Sequence, residues 1–67
     1  MKFRLGEMIR ISDSEAAMEY CKQKGYTNVL FKDWKIVNLL LFEKAYVVKS
    51  KDGQKIEIPE EFAEFLF

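Results

Sequence analysis

The chain has no histidine, one cysteine (Cys21) and one proline (Pro59). Without histidine, the commonest general base of enzyme chemistry is missing. A structural zinc site needs about four Cys or His ligands, and Cys21 is the only one. No disulfide can form within the chain, so no covalent staple supports the fold. Glycine is sparse: Gly6, Gly25 and Gly53 are too scattered for a phosphate-cradling loop. The longest apolar run, Leu39 to Phe42, falls far short of the ~20 residues of a membrane span. Charges at Lys2, Arg4 and Glu7 occupy the place where a secretory leader needs an apolar stretch. Together with the lone thiol, they predict a cytoplasmic protein with no membrane partner.

What is abundant is aromatic and charged. Sixty-seven residues make one domain, 1–67, and so short a chain buries only roughly 60% of its unfolded surface. Six Phe, three Tyr and one Trp must supply most of the packing. Net charge is zero, yet the signs are segregated. Residues 1–55 hold all eleven Lys and Arg against seven acids, whereas 56–67 hold Glu57, Glu60, Glu61 and Glu64 and no base. The end reads either as an ordinary acidic last turn or as an acidic, aromatic docking element.

Residues 2–11 alternate as an irregular strand, with Gly6 as a bulge or bend. Ser12-Asp13-Ser14-Glu15 has the form of a capping box, so a helix is expected over 13–24. Its narrow apolar stripe is Ala17, Met18 and Cys21, and Gly25 ends it in a left-handed cap. Residues 28–32 read as a short strand or as a loop pinned by Val29 and Phe31. Trp34 to Phe42 is apolar on both faces apart from Asn38, which predicts a central strand covered on both sides. Tyr46 to Lys51 is a further strand, returning through Asp52-Gly53. A three-residue loop there pairs Ser50 with Gln54 and sets Val48 opposite Ile56 and Tyr46 opposite Ile58. Gly53 is then the bulge residue. Pro59 opens one or two helical turns with Phe62, Phe65 and Leu66 on one face.

The expected class is α+β: a small curled antiparallel sheet or barrel, one helix inserted after the first strand, and a short C-terminal helical turn. The opening Phe3-Arg4-Leu5-Gly6-Glu7-Met8-Ile9-Arg10-Ile11 resembles the first strand of small Src-homology-3-like (SH3-like) barrels, particularly short phage and bacterial proteins of that type. The Pro59-Glu60-Glu61-Phe62 close is similar to theirs as well, whereas Trp34-Lys35-Ile36-Val37-Asn38-Leu39 lacks the glycine common in their middle strand. The resemblance implies an adaptor or modulator role, such as a phage-type inhibitor of a host protein, and specifies no ligand.

Enzyme chemistry finds no support in the residues. Cys21 lies on the apolar stripe, and Ser12, Ser14 and Ser50 suit caps and turns. No cofactor and no metal site is expected. The aromatic surplus favours an exposed patch that binds a protein partner, either another protein or a second copy of the chain. The candidate contacts are Trp34, Phe62, Phe65 and Phe67 with Glu61 and Glu64, core closure being the competing reading for Trp34 and Phe62. The runner-up is a single-stranded nucleic acid held by the Lys-rich middle and its aromatics, against which stand zero net charge and only two Arg.

Overall fold

The protein is α+β, with one helix and an antiparallel five-stranded sheet, as seen in a computed structural model that describes residues 1–66. The elements run β1 (Met8–Ile11), α1 (Glu15–Lys24), β2 (Trp34–Leu40), β3 (Ala45–Lys49), β4 (Lys55–Pro59), a 3-10 turn (Glu60–Phe62) and β5 (Ala63–Glu64). The strand order is β4-β3-β2-β1-β5, so the sheet is open, with β4 and β5 at its edges.

The β3–β4 hairpin follows the apolar register expected of it. Val48 stands opposite Ile56 and Tyr46 opposite Ile58, and all four are buried. The Ser50 amide donates to the Gln54 carbonyl at 2.9 Å, and Gly53 takes φ 91 in the loop between them.

The first strand is shorter than its alternation suggests, because Gly6 breaks it. Gly6 (φ 87) donates to the Ile36 carbonyl at 2.8 Å, while the Ile36 amide donates to the Glu7 carbonyl at 2.9 Å. Two residues thus oppose one, which is a glycine bulge. A second irregularity lies between Ile36 and Asn38, so Val37 has no directly opposed partner on β3. Past these bends β1 divides its pairing: Met8 and Ile9 bond to β2, and Arg10 and Ile11 to β5. This division curls the sheet around a core of Phe3, Ile9, Trp34, Ile36, Tyr46, Val48 and Ile58.

The helix starts later than the capping-box reading expects. The Ser12 amide is held by the Phe62 carbonyl at 2.9 Å, which keeps Ser12 beside the start of β5. Its hydroxyl accepts from Ser14 N instead, and the Ser14 hydroxyl caps α1 by accepting from Ala17 N at 3.2 Å. Gly25 (φ 76) ends the helix, and the Tyr26 amide reaches back to the Cys21 carbonyl at 2.9 Å, as in a Schellman cap. Ala17 and Cys21 are buried against the core, with Met18 packed beside them.

Of the two readings of residues 28–32 the loop holds, pinned by buried Val29 alone, while Phe31 points to solvent. Two further expectations are corrected. β2 is covered on one face only: Trp34 and Ile36 face inward, while Lys35 and Val37 are exposed. The segment after Pro59 makes a single 3-10 turn and then becomes β5, because Ala63 and Glu64 find pairing partners in Ile11 and Arg10.

Candidate functional site

The terminal patch expected on one helical face does not assemble. With 63–64 extended, Phe62 and Phe65 part company. Phe62 is half-buried against the Tyr20 ring of α1, 5.8 Å between centroids. Phe65 is 63% exposed and meets Phe3 edge-on at 4.9 Å, with the Lys2 ammonium 5.5 Å from its ring. Glu61 and Glu64 are exposed, and Phe67 lies outside the described residues. Trp34 is a core residue and no surface contact: it is 0% exposed, and its indole N–H donates to the Val29 carbonyl at 3.0 Å. Its inward position on β2 dictates this, since a buried indole needs an acceptor and the 26–33 loop supplies one.

The polar groups that do converge serve structure. The Tyr46 hydroxyl donates to Glu60 Oε2 at 2.6 Å and accepts from the Phe3 amide at 2.9 Å. Burial, and then the bond to Glu60, push the Tyr46 phenol up. The same bond, followed by the Lys2 amide, holds the Glu60 carboxyl below the ordinary carboxylate range. Ser50 contacts Asp52 closely inside the β3–β4 loop, and that contact, with Lys32 next in importance, lowers the Asp52 carboxyl. Cys21 is buried, and burial raises its thiol, which opposes the thiolate that chemistry at sulfur requires. Among the described residues, no cluster of three His, Cys, Asp or Glu is placed to hold a metal ion.

The surface feature that stands out is the tip of the β2–β3 hairpin. Leu41 is 67% exposed and Phe42 is fully exposed. The tip is nevertheless fixed at its base. Lys44 takes a left-handed φ of 50, and its carbonyl accepts from the Glu60 amide at 2.9 Å. The Lys44 amide closes the turn onto the Leu41 carbonyl at 3.4 Å. An aromatic knob is therefore held out into water by a tip tied to the 3-10 turn. A second exposed ring, Phe31 (87%), sits in left-handed backbone (φ 61) at the mouth of an open groove formed with Met18, Cys21, Tyr26, Val29 and Leu30. For a bulky residue that conformation is an outlier, and such strain gathers at binding sites.

Sequence reasoning missed Leu41, Phe42 and Phe31 as exposed apolar residues. A signal for the first two was present. Antiparallel pairing with a strand that begins near Tyr46 leaves no partner for residues past Leu40, so a turn had to fall within Leu41-Phe42-Glu43-Lys44. The chain matches no protein-family model, no curated protein and no solved structure.

Proposed function

We propose that this chain is a small non-enzymatic protein-interaction module whose principal anchor is Phe42. The observation that carries the reading is the full exposure of Phe42 beside Leu41 on a tip pinned by the Glu60–Lys44 bond. Exposed aromatics on a pre-ordered backbone make efficient anchors, because little conformational freedom is left to lose on binding. The occupant is a protein with an apolar pocket that takes an aromatic side chain.

The same reading assigns the chain to the SH3-like barrels. Three features support it: the strand order β5-β1-β2-β3-β4, the 3-10 turn between β4 and β5, and a first strand shared between two partners. In this reading α1 occupies the long connection after the first strand, and the Leu41–Lys44 tip is the next loop.

The test places a photo-crosslinking benzoylphenylalanine at position 42 in living cells, with the same group at Lys24 on exposed helix surface as control. A discrete adduct to one other protein from position 42, and none from position 24, is the expected result. An adduct only to a second copy of the chain would identify a homodimer contact instead. No adduct from position 42 would overturn the reading.

A further inference from the structure

The register of the sheet gathers lysines that look scattered in the sequence. Lys35 on β2 stands directly opposite Lys49 on β3, and Lys49 directly opposite Lys55 on β4. Directly opposed residues share a face, so the three ammonium groups form a row across three strands on the side away from the core. All three are exposed. Met8 on β1 completes the row opposite Lys35. One step along β1, Arg10 holds Asp33 at 3.3 Å. Lys32, Asp33, Lys51 and Asp52 line one shallow depression, and Lys51 lines the next with Lys35, Lys49 and Met8. This face therefore carries five cations; of the carboxylates that border it, Asp33 is engaged by Arg10 and Asp52 by Lys32 at 3.2 Å, while Glu64 on β5 stands opposite Arg10. The tract ends at the next row, where Val47 faces Glu57.

Two ordinary explanations fail. Lysines often guard sheet edges against strand pairing, but Lys35 and Lys49 lie on the interior strands β2 and β3. Charge pairing does not account for them either: among the described residues Lys35, Lys49, Lys51 and Lys55 make no ion pair. Like charges set directly opposite one another destabilise a sheet. The arrangement is a cost to folding that an anionic partner relieves.

We infer that this face binds the phosphate backbone of a nucleic acid through Arg10, Lys35, Lys49, Lys51 and Lys55. Protein-binding surfaces are depleted in lysine, whereas nucleic-acid-binding surfaces are strongly positive. No aromatic side chain lies in the lysine row: Trp34 and Tyr46 point into the core, Phe42 sits beyond the far end of β2, and the exposed Phe31 ring borders Arg10 in a separate depression. Bases over the lysines thus have no ring to stack on, and recognition there is of backbone charge and independent of sequence. The face lies apart from the Leu41–Phe42 tip, so each surface stands or falls separately.

The test measures fluorescence anisotropy of a labelled mixed-sequence oligonucleotide, as a single strand and as a duplex, across salt concentrations. With about five phosphates neutralised, single-strand affinity should fall about a hundredfold between roughly 50 and 200 mM salt. The variant Lys35→Glu/Lys49→Glu should weaken binding at least about tenfold, whereas Lys22→Glu/Lys24→Glu on α1 changes net charge equally and should leave it within about twofold. Thermal melts establish that both are folded; should the first not be, Lys51→Glu/Lys55→Glu takes its place. Binding by either strand form supports the inference, and the ratio of the two affinities names the preferred form. Three outcomes overturn it: no binding at the lowest salt, equal loss in the helix variant, or tighter binding to polyglutamate or phosphatidylserine vesicles than to either oligonucleotide.

Discussion

The Tyr46 hydroxyl and the Glu60 carboxylate, 2.6 Å apart, join the start of β3 to the first residue of the 3-10 turn. The Phe3 amide donates to that hydroxyl and the Lys2 amide to that carboxylate, so the start of the chain is tied into the same knot. The Glu60 amide meanwhile holds Lys44 at the base of the hairpin tip. The aromatic knob at Phe42 is therefore positioned by a network whose buried member is a tyrosine on β3. This connects core packing to the surface proposed for binding.

Removing the hydroxyl should loosen that network. Tyr46→Phe leaves the buried Phe3 amide without an acceptor, which costs about 1–3 kcal/mol. Urea denaturation should show a lower midpoint with an unchanged slope. The acid limb should change as well. The folded Glu60 carboxyl is held below its usual range, so its contribution is complete above the unfolded carboxylate's pKa and fades as pH falls through the folded one. Asp52 acts in the same direction, through Ser50 first and Lys32 next. Stability of the parent should therefore decline in acid, and less steeply in Tyr46→Phe. An acid limb as steep in Tyr46→Phe as in the parent would show that the tyrosine does not hold Glu60.

At Gly53 the expected cost is one of backbone alone. A Cβ there meets nothing within 4 Å, yet φ is +91. Gly53→Val should lose at least about 1 kcal/mol, because a β-branched residue resists positive φ. An unchanged denaturation midpoint would mean that the loop adopts another turn in solution.

Local chemistry made part of this fold legible in the sequence. The β3–β4 register was readable because only one loop length pairs Val48 with Ile56 and Tyr46 with Ile58. The Gly25 cap was readable because a glycine just past an apolar stripe has one common use. What long-range pairing decides was not. Ser12 looked like a cap until the Phe62 carbonyl claimed its amide, and 63–64 looked helical until β1 offered it an edge. The binding candidates suffered most, since they depended on which aromatics the sheet would enclose. Trp34 and Phe42 sit in one apolar stretch, yet Trp34 faces the core from β2, whereas Phe42 falls in the turn after Leu40 and is left in water.

Those two residues should respond in opposite ways. Trp34→Ala removes a fully buried indole and its bond to Val29, a loss of about 3–5 kcal/mol that is enough to unfold a domain this small. Phe42→Ala removes a ring that touches mainly solvent and should shift stability by no more than about 0.5 kcal/mol. Thermal melts of the two variants decide the matter. A Phe42→Ala protein destabilised as much as Trp34→Ala would place the ring in the core and remove the case for a docking anchor.

The edge of the sheet supplies the last prediction. β4 has no neighbour on its outer side, yet the outward polar groups of Glu57 are satisfied. The Tyr20 hydroxyl donates to the Glu57 carbonyl at 3.0 Å, and the Glu57 amide donates to the Tyr26 hydroxyl at 3.3 Å. Two tyrosines from α1 and its cap thus stand in for a missing strand and block the edge. The Tyr20 phenol is pushed up to about 12, by burial first and then by the charges of Tyr26, Glu57 and Cys21. A phenolate cannot donate to a carbonyl, so the contact needs the protonated ring. The folded pKa lies above the unfolded value of about 10, so the contribution is complete below that value and is lost as pH rises toward the folded pKa. Tyr46, raised by burial and by Glu60, adds in the same direction. Urea midpoints should therefore fall between about pH 10 and about pH 12. Tyr20→Phe should show a shallower alkaline decline, after losing about 0.5–1.5 kcal/mol at neutral pH with its hydrogen bond. It should also associate more readily, since the Glu57 carbonyl is then open to a second chain. If the alkaline decline in Tyr20→Phe is as steep as in the parent, the ionisation that unfolds the protein lies elsewhere, and the edge is guarded by something other than this hydroxyl.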